Sequence, residues 1–390
     1  MPLFDDVVRD DTGAALYAEP KSEYLNRSAR PAAQRIRDLL ELWFSRYPEE
    51  QRLDLRGRFR SPDDNHHLGA FFELFLHEFL LRLDNRVEVH PQLQGHSRRP
   101  DFLVRPLVGS EYFVEAVLAT GESREETAAR ARMDAVYDAL NRMESPNFFI
   151  GMKVKGAPET SPPARQIRAL LKQHLARLDP EAISRDLDAG GFEALPHWSY
   201  DHEGWHIEFF PIPKSAKARG RRGLRPIGLQ FGEVHWVDDR TAIRDAVIGK
   251  AGSYGHLELP YVIAVNALAD RVDRIDVMEA LFGKEHFIFR AHAAGSVGPE
   301  FERAPDGAWT SPGGPPNAGV SAALIAVQLL PSSVSRSSIC LYHNPWATRP
   351  YEGELNRLHR ATAVDGSRMD WHEGMSLADI FELPADWPGQ

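Results

Sequence analysis

Three acidic residues stand where a phosphodiester could be hydrolysed around a hard cation. Glu73 lies within the apolar run FFELFLHEFLLRL, Asp101 opens RPDFLV, and Glu115 sits inside EYFVEAV. Carboxylate oxygens are the ligands that Mg²⁺ and Mn²⁺ take, and such an ion can ready a water for attack and offset charge on phosphorus. Asp101 and Glu115 are each flanked by apolar residues, so an unpaired charge at either place would be unfavourable. Two carboxylates about 5 Å apart on paired strands would also raise each other's pKa unless a cation or an arginine neutralised them. Arg98, Arg99 and Arg105 are near enough in sequence to play the arginine's part.

The elements that position these acids can be read from periodicity. Residues 66–83 form a helix whose phenylalanines and leucines bury one broad face. A strand follows near 86–90. RPDFLVRP and EYFVEAVLA, joined by Leu107–Ser110, make a β-hairpin that sets Asp101 opposite a residue close to Glu115. Ser123 and Glu126 form a capping box opening a helix to about Met143, and Asn147–Lys155 is the next strand.

This order resembles the PD-(D/E)XK nuclease superfamily, which includes restriction endonucleases: helix acid, Pro-Asp at a strand start, short turn, strand acid, then a helix. The resemblance spans about residues 66–155. It implies a restriction-endonuclease-like α/β fold, a three-layer α/β/α core with a mixed sheet. It also implies a Mg²⁺-dependent (or Mn²⁺-dependent) DNA endonuclease, of the host-defence or restriction kind. Asp101 and Glu115 would hold the ion, and Glu73 would help directly or through water. The family's lysine belongs two residues after the strand acid, where this chain has Val117. Lys153, Lys155 and Lys250 are the lysines that could stand in for it. The alternative is a nuclease-fold module that has lost cleavage and binds nucleic acid or a protein partner.

Elsewhere, a helix is expected at 32–47, with residues 1–30 irregular and 52–65 a charged boundary. A further helix runs from Ser161 to about Leu178, strands lie at GWHIEFFPIP and RPIGLQF, and a helix spans 240–251. PYVIAVNAL is a strand buried on both faces. Later strands are HFIFR, SAALIAVQLL and SICLYHNP, and 304–317 is a surface loop. These give an N-terminal helical extension at 1–60, a core at 61–270 with a basic-loop insertion, and a β-containing C-terminal extension at 271–390.

The formal net charge of −10 argues against a protein that coats nucleic acid, but not against a local basic face. Lys214–Arg225 holds two lysines and four arginines and no acid. With Arg98 and Arg99, its Lys217, Arg219, Arg221 and Arg222 are the expected phosphate contacts. DNA is the expected partner, RNA a second candidate, and a homodimer counts among the expected assemblies. No membrane span or secretory leader is read, and a single cysteine, Cys340 in an apolar strand, points to an inert thiol in the cytoplasm. His77, one helical turn after Glu73, reads as a core or supporting histidine rather than a ligand. GGPPNAGV lacks the Lys-Ser/Thr of a phosphate loop, and no G-x-S-x-G elbow is present.

Overall fold

The computed structural model describes residues 1–221, 223–232, 239–269, 272–288, 300–364 and 368–389, with the backbone alone at 287–288 and 300–301. In chain order the first elements are α1 (Lys21–Arg27), α2 (Pro31–Arg46), α3 (Arg52–Phe59), α4 (Asp64–Arg82), β1 (Asn85–Val89), β2 (Phe102–Pro106) and β3 (Tyr112–Ala119). Next come α5 (Arg124–Asn141), β4 (Phe148–Lys155), α6 (Ala164–Leu175), α7 (Pro180–Gly190), β5 (Trp198–His202), β6 (Trp205–Pro213) and β7 (Ile227–Gly232). The chain continues through α8 (Asp239–Ala251), β8 (Tyr261–Ala267), α9 (Arg274–Phe282), β9 (Glu285–Ile288) and β10 (Glu300–Arg303). It ends with β11 (Ala322–Val327), β12 (Ser338–His343), β13 (His359–Val364), β14 (Arg368–His372) and α10 (Leu377–Phe381).

These elements form two compact units. Residues 1–13, 20–121 and 237–390 make the first; residues 14–19 and 122–236 make the second. The first is α/β, built on a mixed eight-stranded sheet of order β1-β2-β3-β8-β11-β12-β13-β14. β1, β2 and β3 pair antiparallel, then β3, β8 and β11 run parallel. Period-two alternation divides this sheet's side chains between two cores. Phe102, Val104, Val114, Val262 and Leu324 face one side with α2 and α4, while Leu103, Phe113, Ile263, Val265 and Ile325 face the other with α8 and α9. α4 is buried almost all round, through Phe71, Phe72, Phe75, Leu76 and Phe79, which makes it a central helix rather than a surface one. β8 is buried at every residue, as its unbroken apolar run requires.

The second unit is a four-stranded sheet of order β5-β6-β4-β7. α5 and α6 cover it through Val136, Leu140, Ile167 and Leu171, and α7 adds Ile183 to a smaller cluster. The capping box at Ser123 and Glu126 is formed and starts α5.

The structure departs from the sequence reading in several places. α5 and β4 do not complete the sheet that carries β3; they belong to the second unit, and β3 takes its parallel neighbour from β8. Residues 61–270, expected as one core, are therefore shared between both units, and β11 to β14 of the expected C-terminal extension continue the first sheet. Helices α1 and α3 occupy segments expected to be irregular or a boundary. The 304–317 segment is irregular but not simply superficial, because Trp309 is fully buried with its ring 5.1 Å from Phe282. Phe289 and Arg290 of HFIFR lie outside the described residues. Among the described residues, no helix is long and apolar enough to cross a membrane.

Candidate functional site

The three acids read from the sequence all lie in the first unit, on one helix and two adjacent strands. Pairing of β2 with β3 ends at Phe102 and Val114, and one residue further the register carries Asp101 opposite Glu115. The same row continues into β1, because the His90 amide, one residue past that strand, donates to the Asp101 carbonyl at 2.9 Å. His90, Asp101 and Glu115 thus follow each other across three strands. Glu73 comes from α4, with its side chain only 6% exposed.

Each acid has a different electrostatic setting. Glu73 Oε1 accepts from the Tyr47 hydroxyl at 2.5 Å, and Arg58 Nη1 donates to Oε2 at 2.6 Å. Glu115, also 6% exposed, accepts from Lys250 Nζ at 2.6 Å on one oxygen and from the Tyr254 hydroxyl at 2.6 Å on the other. Among the described residues, no lysine or arginine forms an ion pair with Asp101. Oδ2 accepts the Ala116 amide at 2.7 Å, and His90 Nε2 is 3.8 Å from Oδ1. Burial first, then the charges of Glu115 and Glu73, push the Asp101 carboxyl up to about 8; the amide bond and Lys250 oppose this only in part. A pocket that raises one carboxyl so far beside two others would be relieved by a divalent cation. The donor atoms present fit such an ion: Glu73, His90 and Asp101 each offer one atom, all within 4.8 Å of one another.

Lys250 reaches Glu115 because α8 packs on β3 and β8. Ile243 and Val247 on that helix are fully buried, and Lys250 continues the same stripe at the next turn. A lysine where the apolar stripe calls for another hydrophobe was the readable signal. Val117, where the family pattern has its lysine, packs instead into the apolar cluster on this side of the sheet. The other two lysines are on β4 in the second unit, where Lys153 is paired with Glu193 at 2.8 Å and Glu208 at 3.2 Å.

Tyr254, which follows α8, was not foreseen. Its hydroxyl is also 2.9 Å from the Arg99 carbonyl, and burial together with the Glu115 bond raises its pKa. That contact fixes the 98–99 segment beside Glu115, and the Arg98 and Arg99 side chains are exposed there. Tyr47, Arg58 and His90 were missed as well; only His90, closing the β-rich RVEVH, carried a local cue. His77 is buried, its ring against Tyr47 and Phe102, and it contributes no atom to the donor group.

The expected phosphate contacts of the basic loop belong to the second unit. Lys214 is buried there, donating to the Ser145 carbonyl at 2.7 Å with its amine 4.8 Å from the Phe149 ring centre, and burial lowers its pKa. Arg219 pairs with Glu181 at 2.6 Å, and Arg225 donates to the Ala14 carbonyl at 2.6 Å. Lys217 and Arg221 are exposed, and Arg222 lies outside the described residues. The Cys340 thiol is half-buried, and burial pushes its pKa up to about 11, which suits an unreactive thiol. Comparisons with protein-family models, with curated proteins and with solved structures found no match to this chain.

Proposed function

We propose that the chain is a divalent-cation-dependent nuclease, a hydrolase of phosphodiester bonds in DNA, with its site at Asp101, Glu115, Glu73 and Lys250. The observation that carries the reading is the lysine ammonium 2.6 Å from Glu115 beside a carboxyl group driven up by burial and by its acidic neighbours. On this reading Lys250, from α8, would supply the cation that the PD-(D/E)XK pattern lacks at Val117. The restriction-endonuclease-like fold belongs to the same proposal, with α4, β1, β2, β3, α8 and β8 as its core and the second unit inserted between β3 and α8.

Asp101, with Glu73 and Glu115 beside it, would hold Mg²⁺ or Mn²⁺, which when bound orients water and offsets charge on the phosphoryl group. Lys250 stands at the edge of that group, where an ammonium can hold the attacking water and stabilise negative charge on a phosphoryl oxygen. Glu115 and Tyr254 fix its position. Water adds to phosphorus, the ester P–O bond breaks, and the departing oxygen gains a proton, leaving a phosphomonoester and an alcohol. Arg98 and Arg99, both exposed, would meet the phosphates on either side of the scissile one.

The test is cleavage of supercoiled plasmid by the full-length protein with Mg²⁺ or Mn²⁺. Asp101→Asn and Glu115→Gln should each remove nearly all cleavage while the melting transition stays cooperative. A wild-type protein that binds DNA and leaves it intact in both metals would favour the binding-module reading. That second reading has its own support, since Glu73 and Glu115 each already hold a cationic side chain.

A further inference from the structure

The acids read from the sequence offer oxygen only, but the structure adds a nitrogen. His90 Nε2 is 3.5 Å from Glu73 Oε1 and 3.8 Å from Asp101 Oδ1. Donors lying about 2.0–2.2 Å from a shared ion stand roughly 3–4 Å apart, so this trio needs little movement to close on one.

The orientation of the ring is the second observation. His90 Nδ1 lies 3.3 Å from Gln51 Oε1, and the tautomer that satisfies this contact carries its hydrogen on Nδ1. In the neutral ring Nε2 is then a lone pair facing the two acids. A metal-binding imidazole is held in this way, with its other nitrogen tied to a neighbouring acceptor. The backbone contributes too. His90 has φ 49°, in the left-handed region, so the chain turns directly after β1 instead of continuing the strand. Glu115 is not among the donor atoms gathered within 4.8 Å of one another, and Lys250 and Tyr254 hold one of its oxygens each.

From this geometry we infer that Glu73, His90 and Asp101 form a mixed nitrogen–oxygen cation site that prefers Mn²⁺ or a related first-row divalent ion over Mg²⁺, with Glu115 left to hold Lys250. The inference deepens the cation-dependent reading of the same site and rests on it. Imidazole suits transition metals, whereas Mg²⁺ favours an all-oxygen shell and keeps its water. Arg58 holds Glu73 Oε2, so Oε1, which also accepts from the Tyr47 hydroxyl, is the one oxygen that faces His90.

The experiment is Mn²⁺ titration of the metal-free full-length protein, with free Mn²⁺ read by electron paramagnetic resonance and Mg²⁺ added as competitor. The wild type should take up a single tight Mn²⁺ that a large excess of Mg²⁺ displaces poorly. His90→Gln should weaken Mn²⁺ by about 10- to 100-fold or more, judged by what even indirect partners of a metal site contribute. It should also shrink the preference over Mg²⁺. Gln51→Leu, which frees the ring without touching a donor, should weaken Mn²⁺ by a smaller factor and guards against a His90 variant that fails to fold. Glu115→Gln should change Mn²⁺ affinity far less than Asp101→Asn does. The inference is overturned if the wild type binds no Mn²⁺, if His90→Gln and Gln51→Leu both bind it normally, or if Glu115→Gln loses it as fully as Asp101→Asn. Tight, His90-dependent Mn²⁺ binding with uncut plasmid would leave the cation site standing and overturn the nuclease.

Discussion

Two lysine–glutamate pairs in this molecule have similar lengths and opposite surroundings. In the first unit Lys250 meets Glu115 at 2.6 Å, and the glutamate side chain is 6% exposed. In the second unit Lys153 meets Glu193 at 2.8 Å, and that glutamate is 81% exposed. Lys153 also reaches Glu208, which His197 Nδ1 approaches to 3.0 Å, so the surface charges there are shared among several partners with water at hand. Around Glu115 water has little access, and the neighbouring Asp101 is left with more negative charge nearby than positive. Distance alone cannot separate a site from a surface ladder. What separates them is whether solvent can replace a partner that is removed.

The sharpest way to break this comparison is to remove each lysine in turn. Lys250→Met should lower plasmid cleavage by about 10²- to 10³-fold, the range seen when a donor aimed at developing charge is lost. It should also destabilise the fold by about 1–3 kcal/mol, because the buried Glu115 then loses its cationic partner and keeps only the Tyr254 hydroxyl. Lys250→Arg should recover the stability but not the rate, since a planar fork does not place its charge where a compact ammonium does. Lys153→Met should leave cleavage within about twofold and the melting temperature unmoved, as expected of a solvated pair. Equal losses from Lys250→Met and Lys153→Met, or a larger one from Lys153→Met, would erase the distinction.

Buried and unbalanced groups in the first unit should also make its stability depend on pH in predictable directions. Asp101 has a folded pKa near 8, above its unfolded value, so ionising it opposes folding. As pH rises from about 4 towards 8, metal-free wild type should lose stability that Asp101→Asn keeps, provided Asn retains the Ala116 amide bond. Melting in EDTA at pH 8 should therefore be higher for Asp101→Asn than for wild type. Strong destabilisation instead would mean that Asp101 is held by a cationic side chain rather than strained by acids. His77 runs the other way. Burial lowers its pKa to about 4, below the ordinary value of 6.5, so the fold holds the neutral ring. Its contribution is complete above pH 6.5, falls between 6.5 and 4, and amounts to at most about 3 kcal/mol. Urea midpoints measured from pH 7 to 4 should drop less steeply for His77→Leu than for wild type. Parallel curves would show that the ring is solvated.

How much of this was legible follows from how local each signal is. Asp101 and Glu115 could be paired in advance because a hairpin with a short turn fixes register by alternation alone. Helix α2 carried a clear apolar stripe, and α4 was marked by its dense run of phenylalanines and leucines. The partner of β3 was not legible. A capped helix followed by a β-rich run describes α5–β4 and α8–β8 equally well, and only tertiary packing decides which strand lies beside β3. For the same reason Lys250 could be named with Lys153 and Lys155 but not preferred to them. His90 escaped because its part depends on a left-handed turn after β1 and on Gln51, 39 positions earlier in the chain. β13 and β14 have few of the apolar alternations that mark a strand, being mostly half-buried or exposed.

The smallest expected effect concerns the basic loop, the second unit's counterpart to the site. Of its six cations, Lys214, Arg219 and Arg225 are already committed to the Ser145 carbonyl, to Glu181 and to the Ala14 carbonyl. Of the four loop residues expected to contact phosphate, Arg219 is thus held by Glu181 and Arg222 lies outside the described residues. Lys217 and Arg221 are its exposed cations among the described residues. Changing both to Gln should weaken DNA binding uniformly across sequences and reduce the salt dependence of log K by about 1 for each lost phosphate contact, hence by about 2. The melting temperature should not change, because neither side chain is buried. Arg219→Gln should do the reverse, with a slight fall in stability from the lost Glu181 contact and little effect on the salt slope. An unchanged slope after Lys217→Gln and Arg221→Gln would make the loop a solvated segment. DNA contact would then rest on Arg98 and Arg99, the exposed cations beside Glu115 in the first unit.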